Sequence, residues 1–259
     1  MADPIDLSRA RILVSNDDGI DAPGIKVLEE VARSLSDDVW VVAPESEQSA
    51  VAHSLTIRRP LRLRQVGERR YCVDGTSTDS VLLGVRQLLQ ERRPDLVLSG
   101  INRGSNLGDD VSYSGTVAAA MEGALLGVRS IALSQMVLEN TAVSFEVPER
   151  FGADLIRRLV AAPWPTNVML NINFPAVSPD AVNVQRVVRH GRRKLGDELR
   201  ERFDPRGRAY FWIGPQRSDE AVDEDTDMAV VESSGIAVTP ICLDLTHYPS
   251  MTGFAATLR

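Results

Sequence analysis

The sequence predicts an α/β protein in which a mostly parallel β-sheet is flanked by helices. Through the first half of the chain, short apolar runs alternate with segments whose apolar residues recur at helical spacing, which is typical of βαβ units. The first apolar run ends in two adjacent acids, Asp17 and Asp18, and ligands of open parallel sheets bind outside the carboxyl ends of the strands. A later polar, Arg-rich segment followed by three aromatic residues predicts a hairpin arm that projects from the sheet.

In the first half of the chain, the alternation predicts four strands and three helices. The predicted strands are Arg11–Ser15, Val39–Ala43, Asp95–Ser99 and Ser130–Ser134. The predicted helices run from Pro23 to Leu35, from a cap at Ser77 or Thr78 through Val81 to Leu89, and from Thr116 to Leu126. Proline is favoured in the first turn of a helix, and serine and threonine are favoured caps. Between these elements, alternating apolar and polar residues in Leu55–Leu63 and Arg70–Val73 predict a hairpin.

The second half of the chain is less regular, and its pattern predicts one helix and four strands. The helix is Phe151–Val160, and the strands are Val168–Phe174, Val184–Arg189, Ile236–Thr239 and Cys242–Leu245. Residues 191–216 are predicted to form the projecting arm, with a flexible surface loop as the alternative. Because the adjacent aromatics Tyr210, Phe211 and Trp212 are unfavourable to expose, they predict a contact between subunits. Residues 217–259 are predicted to form an acidic loop and a C-terminal segment of one domain spanning residues 1–259.

Composition narrows the range of functions. A chain of 259 residues is long enough for one α/β domain, and its net charge of −7 argues against a nucleic-acid polymer as partner. No apolar run reaches the roughly 18 residues of a membrane span, and residues 1–10 lack the basic and apolar regions of a signal peptide. Cys72 and Cys242 lie in apolar, strand-like segments and are expected to be buried free thiols. We therefore expect a cytoplasmic protein without a membrane partner.

The acid pair Asp17 and Asp18 is the first candidate for chemistry. Two neighbouring acids at the end of a strand repel each other unless a cation lies between them, and hard oxygen ligands suit a divalent metal. The alternative is a strand followed by an ordinary Asp-Gly turn, since aspartate and glycine are common turn residues. This segment alone leaves both interpretations open.

Two further segments carry polar groups that suit a metal or a phosphate. The Gly- and Asn-rich segment from Ser99 to Asp110 contains Asn102, which can offer an amide oxygen to a metal or an amide proton to a phosphate. This segment lacks the ending of a Walker A loop and the glycine spacing of a dinucleotide-binding loop. Ser114, Gly115 and Thr116 stand before an Ala-rich helix whose N-terminus can bind an anion, and the alternative is a simple helix cap.

The remaining polar candidates carry less information by themselves. Ser49 follows the second predicted strand and is a candidate oxygen ligand. The histidines His53, His190 and His247 do not have the spacing of a metal site. The chain also lacks the Gly-x-Ser-x-Gly elbow, so serine hydrolase chemistry has no support.

Together and in this order, the polar segments resemble the survival protein SurE family of metal-dependent nucleotidases, from about residue 11 to residue 248. The motifs that carry the resemblance are Ser15-Asn16-Asp17-Asp18-Gly19 with Ala22-Pro23-Gly24, Val42-Ala43-Pro44 followed by Ser49, Gly75-Thr76 with Thr78-Asp79, Ser99-Gly100-Ile101-Asn102 with Asn106-Leu107-Gly108, Tyr113-Ser114-Gly115-Thr116-Val117-Ala118, Asp204-Pro205-Arg206-Gly207, Trp212-Ile213-Gly214 and Asp244-Leu245-Thr246. Some relatives place a histidine a few residues after Asp-Leu-Thr, whereas His247 here follows it directly and Tyr248 is nearer the expected position.

The resemblance implies a phosphatase of nucleoside 5′-monophosphates, and it leaves open whether 3′-monophosphates and short polyphosphate are also substrates. It implies one Mg²⁺ or Mn²⁺ per subunit, with the metal ligands falling on Asp17, Asp18, Ser49 and Asn102. It implies phosphate contacts from Asn106, Ser114, Gly115 and Thr116. The implied fold is Rossmann-like, with a hairpin and a C-terminal segment exchanged between subunits of a homodimer or homotetramer.

The residue types fit a mechanism in which a metal-bound water attacks the phosphate in line, and Asp17 or Asp18 orients that water or accepts its proton. An all-oxygen ligand set suits Mg²⁺ or Mn²⁺ better than Zn²⁺. A phosphoaspartyl route is disfavoured, because adjacent acids leave opposite sides of an extended chain. The functional alternative is a non-enzymatic metal and nucleotide sensor on the same fold. A glycosyltransferase-like binding module would need a sugar or uracil pocket, for which the sequence gives no support.

Overall fold

The computed structural model describes residues 4–192, 199–213 and 223–258, and its centre is a nine-stranded sheet. The strands of this sheet are β1 (Arg11–Ser15), β2 (Asp38–Pro44), β3 (Leu63–Gly67), β4 (Arg70–Val73), β5 (Leu96–Arg103), β6 (Arg129–Gln135), β7 (Val168–Phe174), β8 (Gln185–Val187) and β11 (Ile236–Cys242). The helices are α1 (Pro23–Arg33), α2 (Ser77–Leu83), α3 (Gly115–Leu125), α4 (Glu146–Val160), α5 (Asp227–Glu232) and α6 (Tyr248–Thr257). A separate two-stranded sheet consists of β9 (Leu199–Phe203) and β10 (Ala209–Ile213).

The strand order is β3-β4-β2-β1-β5-β6-β7-β11-β8. Strands β4, β2, β1, β5, β6 and β7 are parallel, whereas β3 is antiparallel to β4 and β11 is antiparallel to β7. The chain first builds the sheet to one side of β1 and then returns to add β5 on its other side. The order therefore reverses between β1 and β5, which is the place where ligands of open α/β sheets bind.

Two apolar layers cover the two faces of the sheet. In β1, Ile12 and Val14 belong to the cluster under α1 and α4, whereas Leu13 belongs to the cluster under α2 and α3. This division follows from the alternation of side chains along a strand. With both faces covered, the parallel strands read as continuous apolar runs, which is why they were predictable.

The α/β fold with a mostly parallel sheet is confirmed, and two strands have the predicted bounds. These are Arg11–Ser15 and Val168–Phe174. Strands β2 and β6 extend the predicted runs by one residue at each end. Helix α4 begins at Glu146, five residues before the predicted start at Phe151. Helix α6 was not predicted, and none of its described residues is buried, so it has no buried face to give an apolar period.

The predicted strand Leu55–Leu63 is wrong, because the strand begins only at Leu63. Pro60 has no N–H to donate to a ladder. The Thr56 N–H donates to Asp79 Oδ1 at 2.9 Å, and the Arg62 N–H donates to Asp74 Oδ1 at 2.7 Å. The backbone of this segment is therefore bound to side chains rather than to a neighbouring strand.

The predicted cap of α2 is also wrong by one residue. Thr76, rather than Ser77 or Thr78, precedes the helix, and its hydroxyl accepts from the Asp79 N–H at 3.1 Å. The Asp79 carboxylate accepts in turn from the Thr76 N–H at 2.9 Å, which completes a capping box. This pair fixes the start of α2, and a π-helical turn, Gly84–Leu88, continues it.

Near the C-terminus, one strand replaces the two that were predicted. Strand β11 runs continuously from Ile236 to Cys242, and Cys242–Leu245 is not a strand. Pro240 lies beyond the three residues that pair with β8, so its missing N–H falls on an open edge. Both thiols are free, and Cys72 is buried as expected. Cys242 is exposed, contrary to prediction, because it ends the strand outside the core.

Part of the predicted arm is an antiparallel hairpin. Strands β9 and β10 pair from Leu199 opposite Ile213 to Phe203 opposite Ala209. Residues 193–198 and 214–216 of the predicted arm lie outside the described residues, as do residues 217–222 of the predicted acidic loop. Within the described ranges, no helix is both long and apolar enough to cross a bilayer.

Gly24, in the first turn of α1, lets this helix approach the end of β5. A Cβ atom at position 24 would lie 1.9 Å from the carbonyl oxygen of Ile101. Because the neighbour is backbone, a rotamer change cannot relieve this clash. The glycine therefore sets the distance between α1 and the carboxyl end of β5.

Replacing Gly24 with alanine should lower the free energy of unfolding by about 1–3 kcal/mol, as expected for an overpacked contact. Denaturant unfolding measures the loss. The matched control is Gly253→Ala in α6, where no heavy atom lies within 4 Å of the added Cβ. We expect this control to be neutral or slightly more stable. Equal unfolding midpoints for the two variants would contradict the packing argument.

Candidate active site

The acid pair lies directly beyond the carboxyl end of β1, beside the point where the strand order reverses. A tight turn follows, in which the Asn16 side-chain amide donates to the Gly19 carbonyl at 2.9 Å and Gly19 has a φ of +103°. The Ile20 N–H donates to the Pro44 carbonyl at 2.9 Å, which ties this turn to the end of β2. The Asp-Gly turn and the acid pair therefore coexist, and the turn holds the acids in place.

Asp17 is packed against the N-terminus of α3. Its Oδ1 accepts a hydrogen bond from the Thr116 hydroxyl, and both side chains are buried. A Cβ on Gly115 would lie 2.7 Å from Asp17 Oδ2 and 2.8 Å from its Cβ, so only glycine fits there. The Ser77 hydroxyl donates to the Gly115 carbonyl at 2.8 Å and anchors this helix end to α2. The helix dipole adds a favourable field for the carboxylate.

Burial makes both carboxylates of the pair reluctant to ionise. Burial raises the pKa of Asp17 to about 6, against the lowering effect of the Thr116 hydrogen bond and with a further increase from the charge of Asp18. Burial also raises the pKa of Asp18, with the Glu47 charge adding to the increase. The Arg103 N–H donates to Asp18 Oδ2 at 3.2 Å and opposes that shift. A cation between the two carboxylates would remove this electrostatic cost.

Asn102 and Ser49 line the same cavity as the acid pair, and the cavity has a volume of about 1030 Å³. The predicted strand Asp95–Ser99 extends to Arg103, so Asn102 lies at the end of β5 rather than in a loop. Its side-chain amide donates to the Gly104 carbonyl at 2.9 Å, and its amide oxygen is the atom suited to a cation. Ser49 is exposed, and its hydroxyl donates to Glu47 at 2.7 Å.

These four side chains form a donor set that fits a hard divalent cation. Two carboxylates, an amide oxygen and a hydroxyl are all oxygen donors, and the raised pKa values of the acids indicate a site short of positive charge. The buried Asn16 Oδ1, in the turn that holds the acids, has no hydrogen-bond partner. Among the described residues, no group of three or more His, Cys, Asp or Glu side chains converges, so a zinc-type cluster is not present there.

The four predicted phosphate contacts fall into two pairs. Asn106 and Ser114 line the cavity together with the acids. Ser114 is also the N-cap of α3, since its hydroxyl accepts from the Val117 N–H at 3.1 Å. Gly115 and Thr116 lie behind this lining, where they contact Asp17. Two of the four predicted phosphate contacts therefore support the acid pair instead of lining the cavity.

A buried polar network holds the loop that carries Asn106. The Asn106 N–H donates to Asn173 Oδ1 at 2.8 Å, and its side-chain amide donates to the Ser134 hydroxyl at 2.8 Å. The side chains of Asn171 and Asn173 donate to the Asn106 carbonyl at 2.8 and 3.0 Å. Sequence reasoning missed this network. Its signal is two asparagines two residues apart in an otherwise apolar strand, which places both on one buried face.

Asp227 is a second buried structural support that the sequence did not reveal. It is fully buried, and its Oδ2 accepts from the Gly108 N–H at 2.9 Å. Its Oδ1 accepts from the N–H groups of Gly191 and Met228 at 2.8 and 2.9 Å. One carboxylate thus joins the cavity loop, the first residue of the predicted arm and α5. Because Asp227 is one of several acids in a predicted acidic loop, its sequence context gives no local signal of this role.

His247 lies away from the cavity. It is exposed before α6, and its Nδ1 hydrogen-bonds with the Ser250 hydroxyl. His53 instead pairs with Glu122 of α3 at 2.9 Å. Neither histidine is among the described residues that line the cavity of the acid pair.

Comparison with known proteins adds independent findings. A sequence model of the family described as "Survival protein SurE" matches residues 12–197. A protein named 5′-nucleotidase SurE from Paramagnetospirillum magneticum is 59% identical over 251 residues, which cover 97% of this chain and 95% of the relative. One of the same name from Rhodospirillum rubrum is 55% identical over 249 residues, or 95% of each chain.

A solved structure agrees with these sequence matches. The crystal structure of the SurE protein from Aquifex aeolicus is 40% identical, with a TM-score of 0.86 over 96% of this chain and 100% of that chain. The residues matched by the family model include the motifs that surround the acid pair. The relatives match over nearly the full length of the chain, and the solved structure shares its fold. The chain therefore belongs to the survival protein SurE family.

Proposed function

We propose that this protein is a metal-dependent phosphatase that hydrolyses nucleoside 5′-monophosphates to a nucleoside and inorganic phosphate. The observation that carries the proposal is the acid pair at the carboxyl edge of the sheet, with Asp17 buried and Asp18 half-buried, in one cavity with Asn106 and Ser114. The names of the relatives, 5′-nucleotidase SurE, support the same substrate class. The open shape of a cavity of about 1030 Å³ supports 3′-monophosphates and short polyphosphate as further substrates.

One Mg²⁺ or Mn²⁺ per subunit would be held by Asp17, Asp18, Ser49 and Asn102. When bound, the ion supplies Lewis-acid polarisation of the phosphoryl group and a lower pKa for a coordinated water. The support is the all-oxygen donor set and the two acids whose pKa values burial has raised. Two charged and two neutral ligands leave room for water and for a phosphate oxygen.

The chain's own residues bind and orient the phosphate. The N-terminal end of α3, capped by Ser114, presents its dipole to the phosphoryl oxygens, and the Asn106 side chain lies in the same cavity. Thr116 holds one oxygen of Asp17, which fixes the direction of the other. As a water attacks phosphorus, the bond from phosphorus to the nucleoside oxygen breaks. A carboxylate of the acid pair accepts one proton of the water and returns it to the departing oxygen, so that a nucleoside and inorganic phosphate result.

The hairpin of β9 and β10 supports assembly of the chain into a homodimer or homotetramer. On one of its faces, the register brings together Leu199, Phe203, Phe211 and Ile213, all of them more than half exposed. Tyr210 and Trp212 lie on the other face. An isolated two-stranded hairpin is marginal in water, so a partner that covers these side chains would stabilise it. The free thiols Cys72 and Cys242 support a cytoplasmic location.

The direct test of the function is phosphate release from 5′-AMP and 3′-AMP, after chelation and again after Mn²⁺ or Mg²⁺ is restored. We expect activity only with the metal, and the Asp17→Asn variant to lose at least about a hundredfold in kcat, because a charge that acts on the reacting group is removed. The matched control is Asp37→Asn, an exposed acid beside the amino end of β2, which should keep full activity. Near wild-type turnover in Asp17→Asn would contradict the site assignment. A folded protein that binds metal but releases no phosphate would favour the sensor alternative.

The pKa of Asp17 predicts the pH dependence of stability in the metal-free protein. Burial raises this pKa from its ordinary value of 3.8 to about 6. Between these values the folded protein keeps a proton that the unfolded chain has released, so the free energy of unfolding falls as the pH rises from about 4 to about 6. Asp17→Asn removes this pH-dependent fall in the free energy of unfolding, because asparagine has no proton to release. In chelator, the variant should therefore gain up to about 3 kcal/mol over the wild type across that window.

Denaturant unfolding in chelator at intervals from pH 4 to pH 8 measures this difference. Asp37→Asn is again the control, and its difference from the wild type should not follow the same curve. A stability difference between Asp17→Asn and the wild type that stays constant across the pH range would contradict the predicted shift.

The assembly proposal is tested by light scattering in solution. We expect a mass of two or four chains for the wild type and a smaller assembly for Phe211→Ser, because the substitution places a hydroxyl in the apolar face of the hairpin. The control is Ile57→Ser, since Ile57 is 83% exposed but lies outside the arm. A monomeric wild type, or an unchanged mass for Phe211→Ser, would contradict the role of the arm.

A further inference from the structure

One side of the cavity has no role in the chemistry proposed above. The segment of residues 136–145, which follows β6, contributes Met136, Val137, Leu138, Val143 and Phe145 to the lining. We call these five residues the apolar wall. Apart from Glu139, the polar lining residues come from the segments that follow β1 and β2, from the end of β5 and the loop after it, and from the start of α3. The cavity therefore has a charged end and an apolar end.

The apolar wall is fixed at both ends. The Met136 N–H donates to the Phe174 carbonyl at 2.9 Å, at the end of β7. At the other end, Phe145 is buried in the main core cluster, and Val143 packs against that cluster. The wall is thus continuous with the folded core, so it is a preformed surface rather than a loose loop.

A turn holds the exposed tip of the wall. The carbonyl of Leu138 accepts from the Thr141 N–H at 3.2 Å and from the Thr141 hydroxyl at 2.8 Å. Asn140 has a φ of +60°, a left-handed conformation that asparagine tolerates in turns. The turn leaves the Leu138 side chain 49% exposed at the cavity. A leucine held in this position lacks an apolar partner that a ligand could supply.

The order of the strands sets the distance between the apolar wall and the acid pair. The acid pair follows β1, the wall follows β6, and β5 lies between these strands. Neighbouring strands are about 4.8 Å apart, so β1 and β6, the strands that lead to the acid pair and to the wall, are separated by about 10 Å. This separation is of the order of the extent of a nucleotide from its phosphate to its base.

We propose that the apolar wall is the subsite for the nucleobase of the substrate, with Leu138 as its main exposed contact. The inference rests on the proposed function, because it assumes that the phosphate is held at the acid pair. Burial of the base against aliphatic side chains lowers KM without acting on the reacting bond. The wall thus favours nucleotides over phosphate esters of similar charge that lack a base. Glu139, the one ionisable side chain of residues 136–145, is exposed at the rim of the cavity.

The test compares substrates with and without a base, using kcat/KM for 5′-AMP, 5′-UMP and ribose 5-phosphate in the presence of Mn²⁺. We expect the wild type to prefer both nucleotides to ribose 5-phosphate. In Leu138→Ala this preference should fall by about tenfold, as apolar contacts of this size permit, through KM rather than kcat. The control is Leu125→Ala, since Leu125 is 61% exposed on α3 and does not line the cavity among its described residues.

Binding of adenosine, which has a base and no phosphate, gives a readout that is independent of turnover. Leu138→Ala should weaken adenosine binding in equilibrium dialysis, and Leu125→Ala should leave it unchanged. An unchanged preference together with unchanged adenosine binding in Leu138→Ala would overturn the subsite. Failure of the wild type to release phosphate from any of the three esters would instead refute the proposed function, and adenosine binding would still decide whether the wall holds a base.

Discussion

The arrangement of the site depends on the burial of the Asp17 carboxylate against the first turn of α3. This contact needs the absent side chain of Gly115 and the hydroxyl of Thr116, and the Ser77 hydroxyl holds the same helix end from behind. Burying this carboxylate is unfavourable, the charge of the neighbouring Asp18 adds to the cost, and the raised pKa of Asp17 expresses both effects. The fold therefore holds two neighbouring carboxylates whose ionised forms a bound cation would stabilise. A solvated turn would not keep two carboxylates in this state.

The rest of the cavity follows from the topology of the sheet. Reversal of the strand order between β1 and β5 brings the ends of these strands to a common edge, with Asn102 beside the acid pair. The neighbouring strand β6 leads into the apolar wall. The acid pair and the apolar wall therefore lie at different positions across the sheet, with β5 between them. Asp227 then connects the loop of Asn106 to the first residue of the arm, through Gly108 and Gly191. The arm, the proposed subunit contact, is in this way connected by hydrogen bonds to the loop that lines the cavity.

The sequence was informative where one local pattern decides the structure. Buried parallel strands such as Arg11–Ser15 read as apolar runs, and the acids stand out because they follow such a run. The sequence was uninformative where a contact joins residues that are far apart along the chain. Asp17 and Thr116 are 99 positions apart, and no spacing indicates that this hydroxyl supports the acid. The strand wrongly predicted at Leu55–Leu63 failed for the same reason, since the Thr56 N–H is bound to a side chain 23 positions away. Asn171 and Asn173 are the intermediate case, because their two-residue spacing marks a buried polar face but does not name its partner.

The central claim is that the acid pair, held by α3, is a site for one divalent cation. Calorimetric titration of the chelated protein with Mn²⁺, in the absence of substrate, tests this claim most directly. The account predicts one ion per chain, bound at least about tenfold more weakly by Asp17→Asn, since even the loss of an indirect support of a metal ligand has an effect of that size. Equal affinity in the wild type and in Asp17→Asn, or no binding by the folded wild type, would contradict it.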